Sequence, residues 1–180
     1  MKKIYIKDFG AVGDGVTDDK EAIQKALDTI GEQGGGDLWI NEGDYKITGE
    51  LSVKYSNIHL YGEHGAKLSF YGLGARGKDL NGNPSPDSGA FLNIMGSQLK
   101  SEMIHDILVK NIIFDGTHQE FKGGPSADDL KTTSINPFYR AGLTAIRVQG
   151  VYFIRIEGCK LYDFYGNGIA VDRSSHVQIL

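Results

Sequence analysis

Two strand-like patterns recur near the end of the chain at one shared interval. Ile146-Arg147-Val148 returns as Ile169-Ala170-Val171, and the pattern around Ile154 returns around Val177, each after 23 residues. A coil that stacks one turn on the next explains this spacing, because each turn can bury its inward side chains only against its neighbours. A β-sandwich gives no reason for equal spacing in two strand types. We therefore predict a solenoid in which Ile146 lies beside Ile169 and Ile154 lies beside Val177.

Earlier copies of the pattern are spaced more widely. The sequence NIHLYG at residues 57–62 matches NIIFDG at 111–116, which places Ile58 54 residues before Ile112 and Ile112 42 residues before Ile154. The excess falls in two irregular stretches, residues 72–89 and 117–141. A loop inserted in a solenoid projects from one face, often the face that binds a ligand.

One segment has the periodicity of a helix. Between Asp18 and Ile30 the apolar residues recur every three or four positions and form a single stripe, which must cover an apolar surface. Side-chain oxygens of Thr17, Asp18 and Asp19 can accept hydrogen bonds from the free N–H groups of the first helical turn. We interpret Asp14, Asp18 and Asp19 as turn and capping residues rather than as a cation site.

Composition excludes several classes of protein. The net charge of −4 gives no basic excess for binding a nucleic acid, and the single Cys159 rules out an internal disulfide. No apolar run approaches the roughly 20 residues of a membrane helix, and no signal peptide is visible. The 25 glycines among 180 residues suit many tight turns between short strands.

The first fifty residues resemble a known family. The opening DFGAVGDGVTDDKEAIQKALD, followed by GGGDLWINEGDYKI, is similar to the N-terminal signature of pectate-lyase-like right-handed parallel β-helix proteins. Polygalacturonases, alginate epimerases and phage tail spikes or appendages share this signature. The resemblance implies an all-β fold, a right-handed parallel β-helix with an N-terminal capping α-helix. We expect a single domain over 1–180, with a capping segment at 1–36 and β-helix turns at 37–180.

The resemblance carries over no catalytic residue. The Asn-Thr-Asp, paired-aspartate, Gly-His-Gly and Arg-Ile-Lys motifs of polygalacturonases are absent, as is the Asp-Pro-His motif of alginate epimerases. Asn41 stands where the family often has proline. The chain also stops as a strand begins, and we expect it to be the N-terminal portion of a longer coil or to be covered by another chain.

The candidate catalytic residues are Asp163, Asp172 and Arg140. Asp163 and Asp172 could form the carboxylate pair that a glycosidase needs, although exposed turn aspartates are the simpler interpretation. Elimination on uronic acids requires a cation beside the substrate carboxylate and a base for the proton. Arg140, Arg147, Arg155 and Arg173 could supply this charge; Arg140 is the candidate catalytic cation, and Arg147 and Arg155 occupy outward positions of adjacent strands on one turn. A solvated solenoid face is the alternative for the arginines.

The second insertion is a candidate ligand wall. It combines groups that pair with hydroxyls and flat aromatic faces on which sugar rings stack. The candidate substrate-binding residues are His118, Glu120, Phe138 and Tyr139 in this insertion, and Tyr165 and Arg147 outside it. We predict no metal site and no cofactor.

These features favour a carbohydrate-active protein. We expect it to bind and depolymerise a polysaccharide or cell-surface glycan by hydrolysis or elimination, as an extracellular enzyme or as a phage tail-spike depolymerase on the virion tail. The alternative is a non-catalytic glycan-binding viral adhesion protein, for which a homotrimer is expected. A purely structural solenoid is a third possibility, which the two large insertions argue against.

Overall fold

The computed structural model describes residues 2–73, 89–96, 103–120, 143–164 and 166–180. Within these ranges the chain forms three parallel sheets, one strand pair and one α-helix. Sheet A contains β1 (Lys2–Tyr5), β3 (Gly36–Ile40), β6 (Ile58–Gly62), β10 (Ile104–Lys110), β14 (Val151–Glu157) and β17 (Ser175–Ile179). Sheet B contains β2 (Asp14–Asp18), β4 (Gly43–Ile47), β7 (Ala66–Phe70), β11 (Ile113–Asp115) and β15 (Lys160–Tyr162). Sheet C contains β5 (Leu51–Val53), β9 (Ala90–Met95), β13 (Thr144–Gln149) and β16 (Ile169–Asp172).

The chain visits sheets A, B and C in that order and then repeats the circuit. Each circuit is one coil turn: β3–β4–β5, β6–β7–β9, β10–β11–β13 and β14–β15–β16. All strand pairs between coil turns are parallel. The fold is therefore a right-handed parallel β-helix, as the sequence predicts, with the handedness that parallel crossover connections strongly favour.

The predicted stacking of the last coil turns is confirmed. Ile146 pairs with Ile169, and Ile154 pairs with Val177. Inward side chains form continuous columns, and one of them runs through Leu38, Leu60 and Val109, all buried. Each buried aliphatic side chain of this kind contributes about 1.5–3 kcal/mol. No single coil turn can bury them, which is why the stacked arrangement is required.

The alignment of the earlier repeats from sequence is wrong. Ile58 of sheet A pairs with Ile107, 49 residues later, and Ile107 pairs with Ile154 after 47 more. The NIIFDG segment instead enters sheet B, where Ile113 pairs with Lys67. The two patterns match because Asn57 and Asn111 both take left-handed backbone conformations, with φ of 61° and 58°. They mark two different corners of the coil rather than one sheet, since asparagine tolerates this conformation better than most residues.

Between the strands of the described ranges, three connections are longer than their counterparts in other coil turns, one more than the sequence analysis found. The two predicted stretches begin with β8 (Gly72–Leu73) and β12 (Gln119–Glu120), which pair with each other and so continue the stacking. The rest of both stretches, 74–88 and 121–141, lies outside the described residues. The third connection separates β9 from β10. Its described ends lie at the corner formed by Gly150, where Gly96 N–H donates to the carbonyl of Gln149 and Ile104 N–H donates to that of Gly150. Its short length and the lack of a repeat on either side hid it in the sequence.

The helix α1 spans Lys20–Glu32 and begins two residues later than predicted. It covers the first coil turn with its apolar stripe, and Ile23, Leu27 and Ile30 join the common core. A 3₁₀ helix at Ile6–Phe9 packs beside it. In the described part of the chain, no helix is long and apolar enough to cross a membrane.

Asp19 does not cap the helix with its side chain, contrary to the sequence prediction. Its carboxylate is 1% exposed and accepts hydrogen bonds from the backbone N–H groups of Val12 and Gly13, at 2.7 and 3.1 Å. Asp18 instead accepts from the backbone N–H of Lys20 at 3.2 Å. Asp19 therefore ties the preceding loop to the start of the helix, because the loop amides lie closer to the carboxylate than the helix amides do.

We expect Asp19→Ala to lower the free energy of unfolding by about 1.5–3 kcal/mol, the range for hydrogen bonds to a charged group. Chemical denaturation measures the change. Asp8→Ala is the matched control, because Asp8 is exposed, and it should stay within about 0.5 kcal/mol of the wild type. Equal stability of the two variants would contradict this role for Asp19.

Candidate functional site

The structure describes four of the predicted site residues with their side chains: Asp163, Asp172, Arg147 and His118. Only the backbone of Glu120 is described. Arg140, Phe138, Tyr139 and Tyr165 lie outside the described residues. The four described side chains form two groups, one on the outer face of sheet C and one at the corner between sheets B and C.

The outer face of sheet C carries a row of polar side chains across neighbouring coil turns. Asn93 lies between Ser52 and Arg147 in the strand register, and Asp172 pairs with Gln149. Gln149 Nε2 donates to Asp172 Oδ2 at 3.1 Å. Arg147 and Gln149 are two residues apart on the same face, so Arg147 and Asp172 are diagonal neighbours, roughly 7–8 Å apart at the backbone. The sheet thus brings one predicted cation and one predicted carboxylate together.

Asn93 is the most enclosed member of this row. Its side chain is 7% exposed, and its Nδ2 donates to Glu50 Oε1 at 3.0 Å. Its Oδ1 has no hydrogen-bond partner among the described residues. A buried acceptor without a donor costs about 1–3 kcal/mol, so this oxygen requires a donor that the described residues do not supply.

The second group lies at the corner where the 117–141 insertion begins. Asp163, with a φ of 54°, accepts a hydrogen bond from Thr117 Oγ1 at 3.1 Å, and its carbonyl oxygen accepts from Gln119 Nε2. The ring of His118 stacks on Tyr71, with centroids 4.3 Å apart and planes 8° apart. Asp163 and Asp115 share the single hydroxyl hydrogen of Thr117, and Asp115 also accepts from the Thr117 backbone N–H.

Asp163 and Asp172 belong to different groups. Asp163 precedes β16, whereas Asp172 is its last residue, and four strand residues span about 10 Å. Both aspartates are exposed and hydrogen-bonded. Their predicted action as a facing pair stays a prediction.

The corner group holds Asp115 in its ionised form. Burial acts to raise the pKa of Asp115, but hydrogen bonds from Thr117 and the charges of Lys67 and His118 outweigh it and leave the pKa below its usual value. Because the pKa is depressed in the folded state, Asp115 contributes stability above its unfolded pKa. That contribution is lost as the pH falls through the folded pKa.

We expect Thr117→Val to raise the pKa of Asp115 toward its ordinary value, because the hydroxyl donor is lost while the backbone N–H remains. Carbon-detected NMR titration of the carboxyl groups measures it. Thr48→Val is the matched control, since Thr48 Oγ1 donates to Asp18 instead. An unchanged Asp115 titration in Thr117→Val would contradict the assignment.

Sheet A carries a further cluster that the sequence analysis did not find. The ring of His59 lies between two carboxylates, with Nδ1 3.2 Å from Asp37 Oδ1 and Nε2 3.4 Å from Asp106 Oδ1. Trp39 and Tyr61 stack, with centroids 4.9 Å apart. These residues occupy the outward positions of strands whose inward positions defined the repeat. The sequence signal was therefore present, but the hydrophobic pattern does not show which outward positions become neighbours.

Among the described residues, no group of three or more histidine, cysteine or carboxylate side chains is arranged to hold a metal ion. Cys159 packs beneath sheet A, with its Sγ 3.6 Å from the carbonyl oxygen of Val109. Burial raises the pKa of its thiol. This environment disfavours the thiolate and hence a nucleophilic role.

Comparison with known proteins assigns the family. The model of the family Rhamnogalacturonase A/epimerase, pectate lyase-like, matches residues 4–123. The chain belongs to this family. The rhamnogalacturonase/epimerase match extends well beyond the N-terminal signature, since it includes strands of the first three coil turns.

Curated relatives of this chain match it over short segments. Mannuronan C5-epimerase AlgE1 of Azotobacter vinelandii is 44% identical over 64 residues, covering 32% of this chain and 4% of that protein. Plasmin and fibronectin-binding protein A of Streptococcus pneumoniae is 45% identical over 58 residues, covering 32% of this chain and 8% of that protein. The chain thus spans only a small part of the length of the relatives that it matches.

Solved structures share the fold over nearly the whole chain. A hyperthermoactive exopolygalacturonase from Thermotoga maritima has a TM-score of 0.69 at 18% identity, covering 99% of this chain and 45% of that one. PfbA, a surface adhesin of Streptococcus pneumoniae, has a TM-score of 0.67 at 22% identity, covering 99% of this chain and 37% of that one. ORF18 of Geobacillus virus E2 has a TM-score of 0.59 at 19% identity, covering 86% of this chain and 24% of that one. Identities this low support the shared fold alone.

Proposed function

We propose that this β-helix binds and depolymerises a polysaccharide, with the substrate lying along the outer face of sheet C. One observation supports the proposal: the chain has long connections at both edges of sheet C. Two depart at the corner between sheets B and C, and one departs at the corner between sheets C and A. Insertions that flank one sheet form the walls of a groove, and binding residues concentrate on such loops.

The polar row on sheet C suits the floor of this groove. Neighbouring coil turns lie about 4.8 Å apart, so a row through several turns meets successive parts of a long polymer. Arg147 supplies positive charge, Asp172 supplies a carboxylate, and Asn93 supplies an enclosed acceptor. A cation beside a substrate carboxylate stabilises the charge that develops during elimination, and a carboxylate can transfer the proton.

The corner group and the predicted loop residues complete the proposal. Asp163 and His118 lie where the 117–141 insertion leaves the coil and would contact a substrate at the edge of the groove. Arg140 remains a candidate catalytic residue, and the remaining candidate substrate-binding residues are Glu120, Phe138, Tyr139 and Tyr165.

The known relatives support a polysaccharide substrate. AlgE1 is named as an epimerase of mannuronan, and the Thermotoga maritima protein as an exopolygalacturonase. A phage appendage is one setting that we propose for such a protein, and a trimer is expected there.

Incubation of the full-length protein with polymannuronate, polygalacturonate and ι-carrageenan tests the proposal. New reducing ends indicate hydrolysis, ultraviolet absorbance of unsaturated products indicates elimination, and altered uronate signals in the proton NMR spectrum indicate epimerisation. Hydrolysis or elimination supports the proposal. Epimerisation alone, or the absence of every product, would contradict depolymerisation.

A non-catalytic glycan-binding adhesin is the second candidate. It is favoured by the absence of the polygalacturonase and epimerase motifs from the 180 residues and by the similarity to the surface adhesin PfbA. Binding to one of the polymers without any product would select it.

A further inference from the structure

A groove runs along the outer face of sheet A, on a different side of the coil from sheet C. Its floor is the column His59, Leu108 and Arg155, which are in register on three successive strands. Leu108 points outward from the coil yet is only 9% exposed, because its neighbours on both sides cover it. The groove has a volume of about 500 Å³, within the range of ligand sites.

Aromatic side chains form one rim of the sheet A groove. Phe153 is 50% exposed, and its ring lies 4.5 Å from those of Tyr152 and His176. Tyr61 lies on the opposite side of the floor, stacked on Trp39. Exposed rings beside a concave floor suit the apolar faces of sugar rings.

Phe153 also has an unusual backbone conformation. The residue before each member of the inward column Ile58, Ile107, Ile154 and Val177 is left-handed, and φ lies between 54° and 62° for Asn57, Asp106, Phe153 and His176. Asparagine and aspartate adopt this conformation readily, whereas a bulky residue there is an outlier. A phenylalanine is thus kept where a small polar residue would be favoured, and strain of this kind is concentrated at ligand sites.

The groove also offers charged groups for hydrogen bonding. Arg155 Nε lies 3.7 Å from Glu157 Oε2, beyond hydrogen-bond distance, and the Arg155 side chain is 52% exposed. Lys110 differs, because its Nζ is held by Glu157 at 2.7 Å. Across the groove, Asp106 is exposed beside His59. Arginine binds planar carboxylates through two parallel hydrogen bonds, and Asp106 can accept from sugar hydroxyls.

We propose that the sheet A groove is a second glycan-binding site that holds an acidic, uronate-bearing polysaccharide, with Phe153 against a sugar ring and Arg155 on a uronate carboxylate. An exposed guanidinium next to stacking rings favours this occupant over a neutral glycan. The site goes beyond the proposed function, because it needs no catalytic residue and would hold polymer whether or not sheet C cleaves it.

Binding of mannuronate and galacturonate oligomers to the full-length protein tests the proposal. Calorimetry measures affinity, and the fluorescence of Trp39, the single tryptophan, reports locally because Trp39 stacks on Tyr61 of the groove. We expect Arg155→Gln and Phe153→Asn each to weaken binding of one of these oligomers at least fivefold and to remove the fluorescence response. Dextran oligomers, which are neutral, should give no response.

The asparagine variant separates binding from folding. Asparagine suits the left-handed conformation, so Phe153→Asn should have an unchanged or higher melting temperature while its affinity falls. Lys25→Gln removes an exposed charge on α1 and should change neither the melting temperature nor the affinity. Wild-type affinity in both groove variants, or a wild-type protein that binds neither uronate oligomer, would overturn the proposal.

The two proposals fail separately. A variant at sheet C, Arg147→Gln, should keep the Trp39 response, so loss of cleavage with a retained response leaves the sheet A site intact. Conversely, if the wild type cleaves polymer but Trp39 never responds, the sheet A proposal is wrong and the proposed function stands.

Discussion

Arg147→Gln is expected to lower kcat/KM for depolymerisation about 100-fold or more. Arg147 lies in the centre of the sheet C row, in register with Asn93 and Ala170 and diagonal to Asp172. Removing one preorganised group that stabilises developing charge typically reduces the rate by about 10²–10³. Initial rates on the polymer that the wild type cleaves measure the effect.

Two further variants make this result specific to charge at Arg147. Arg147→Lys keeps the positive charge and should recover part of the activity, although lysine cannot reproduce a two-point contact with a carboxylate. Lys25→Gln removes a charge from the exposed side of α1 and should leave the rate unchanged. Activity of Arg147→Gln within twofold of the wild type would remove Arg147 from the mechanism.

Phe91→Ala should destabilise the protein by about 3–5 kcal/mol, the largest effect we expect on folding. Phe91 is fully buried, and its ring centroid lies 5.2 Å from that of Phe70 and 5.8 Å from that of Phe114. It therefore links strands of sheets B and C, and its removal leaves a cavity that a stacked coil cannot close by moving one turn alone. Denaturant titration measures the loss.

Tyr162→Ala is the matched control for the core variant. Tyr162 ends β15 with its ring half exposed, so truncation should cost about 0.5 kcal/mol or less. Similar losses in Phe91→Ala and Tyr162→Ala would show that the aromatic core contributes less than its burial indicates.

The outer faces of sheets C and A show why only part of the candidate site residues could be predicted from the sequence. Arg147 and Asp172 stand out because they sit in repeats whose register follows from a 23-residue interval, and the structure places them as neighbours. His59 and Asp106 stand 47 residues apart in the chain, and nothing local relates them until β6 and β10 pair. Sites built from such distant strands depend on the register of the whole coil.

The sequence by itself determined the coil, the capping helix and the stacking of the last turns, because each rests on a local period of apolar residues. Tertiary structure decided which strand follows Ile58 in sheet A, where the third long connection lies, and which amides Asp19 holds. The physical reason is the same in each case. Hydrophobic periodicity reports which side chains point inward, whereas outward neighbours and corner contacts depend on loops of unequal length between the coil turns.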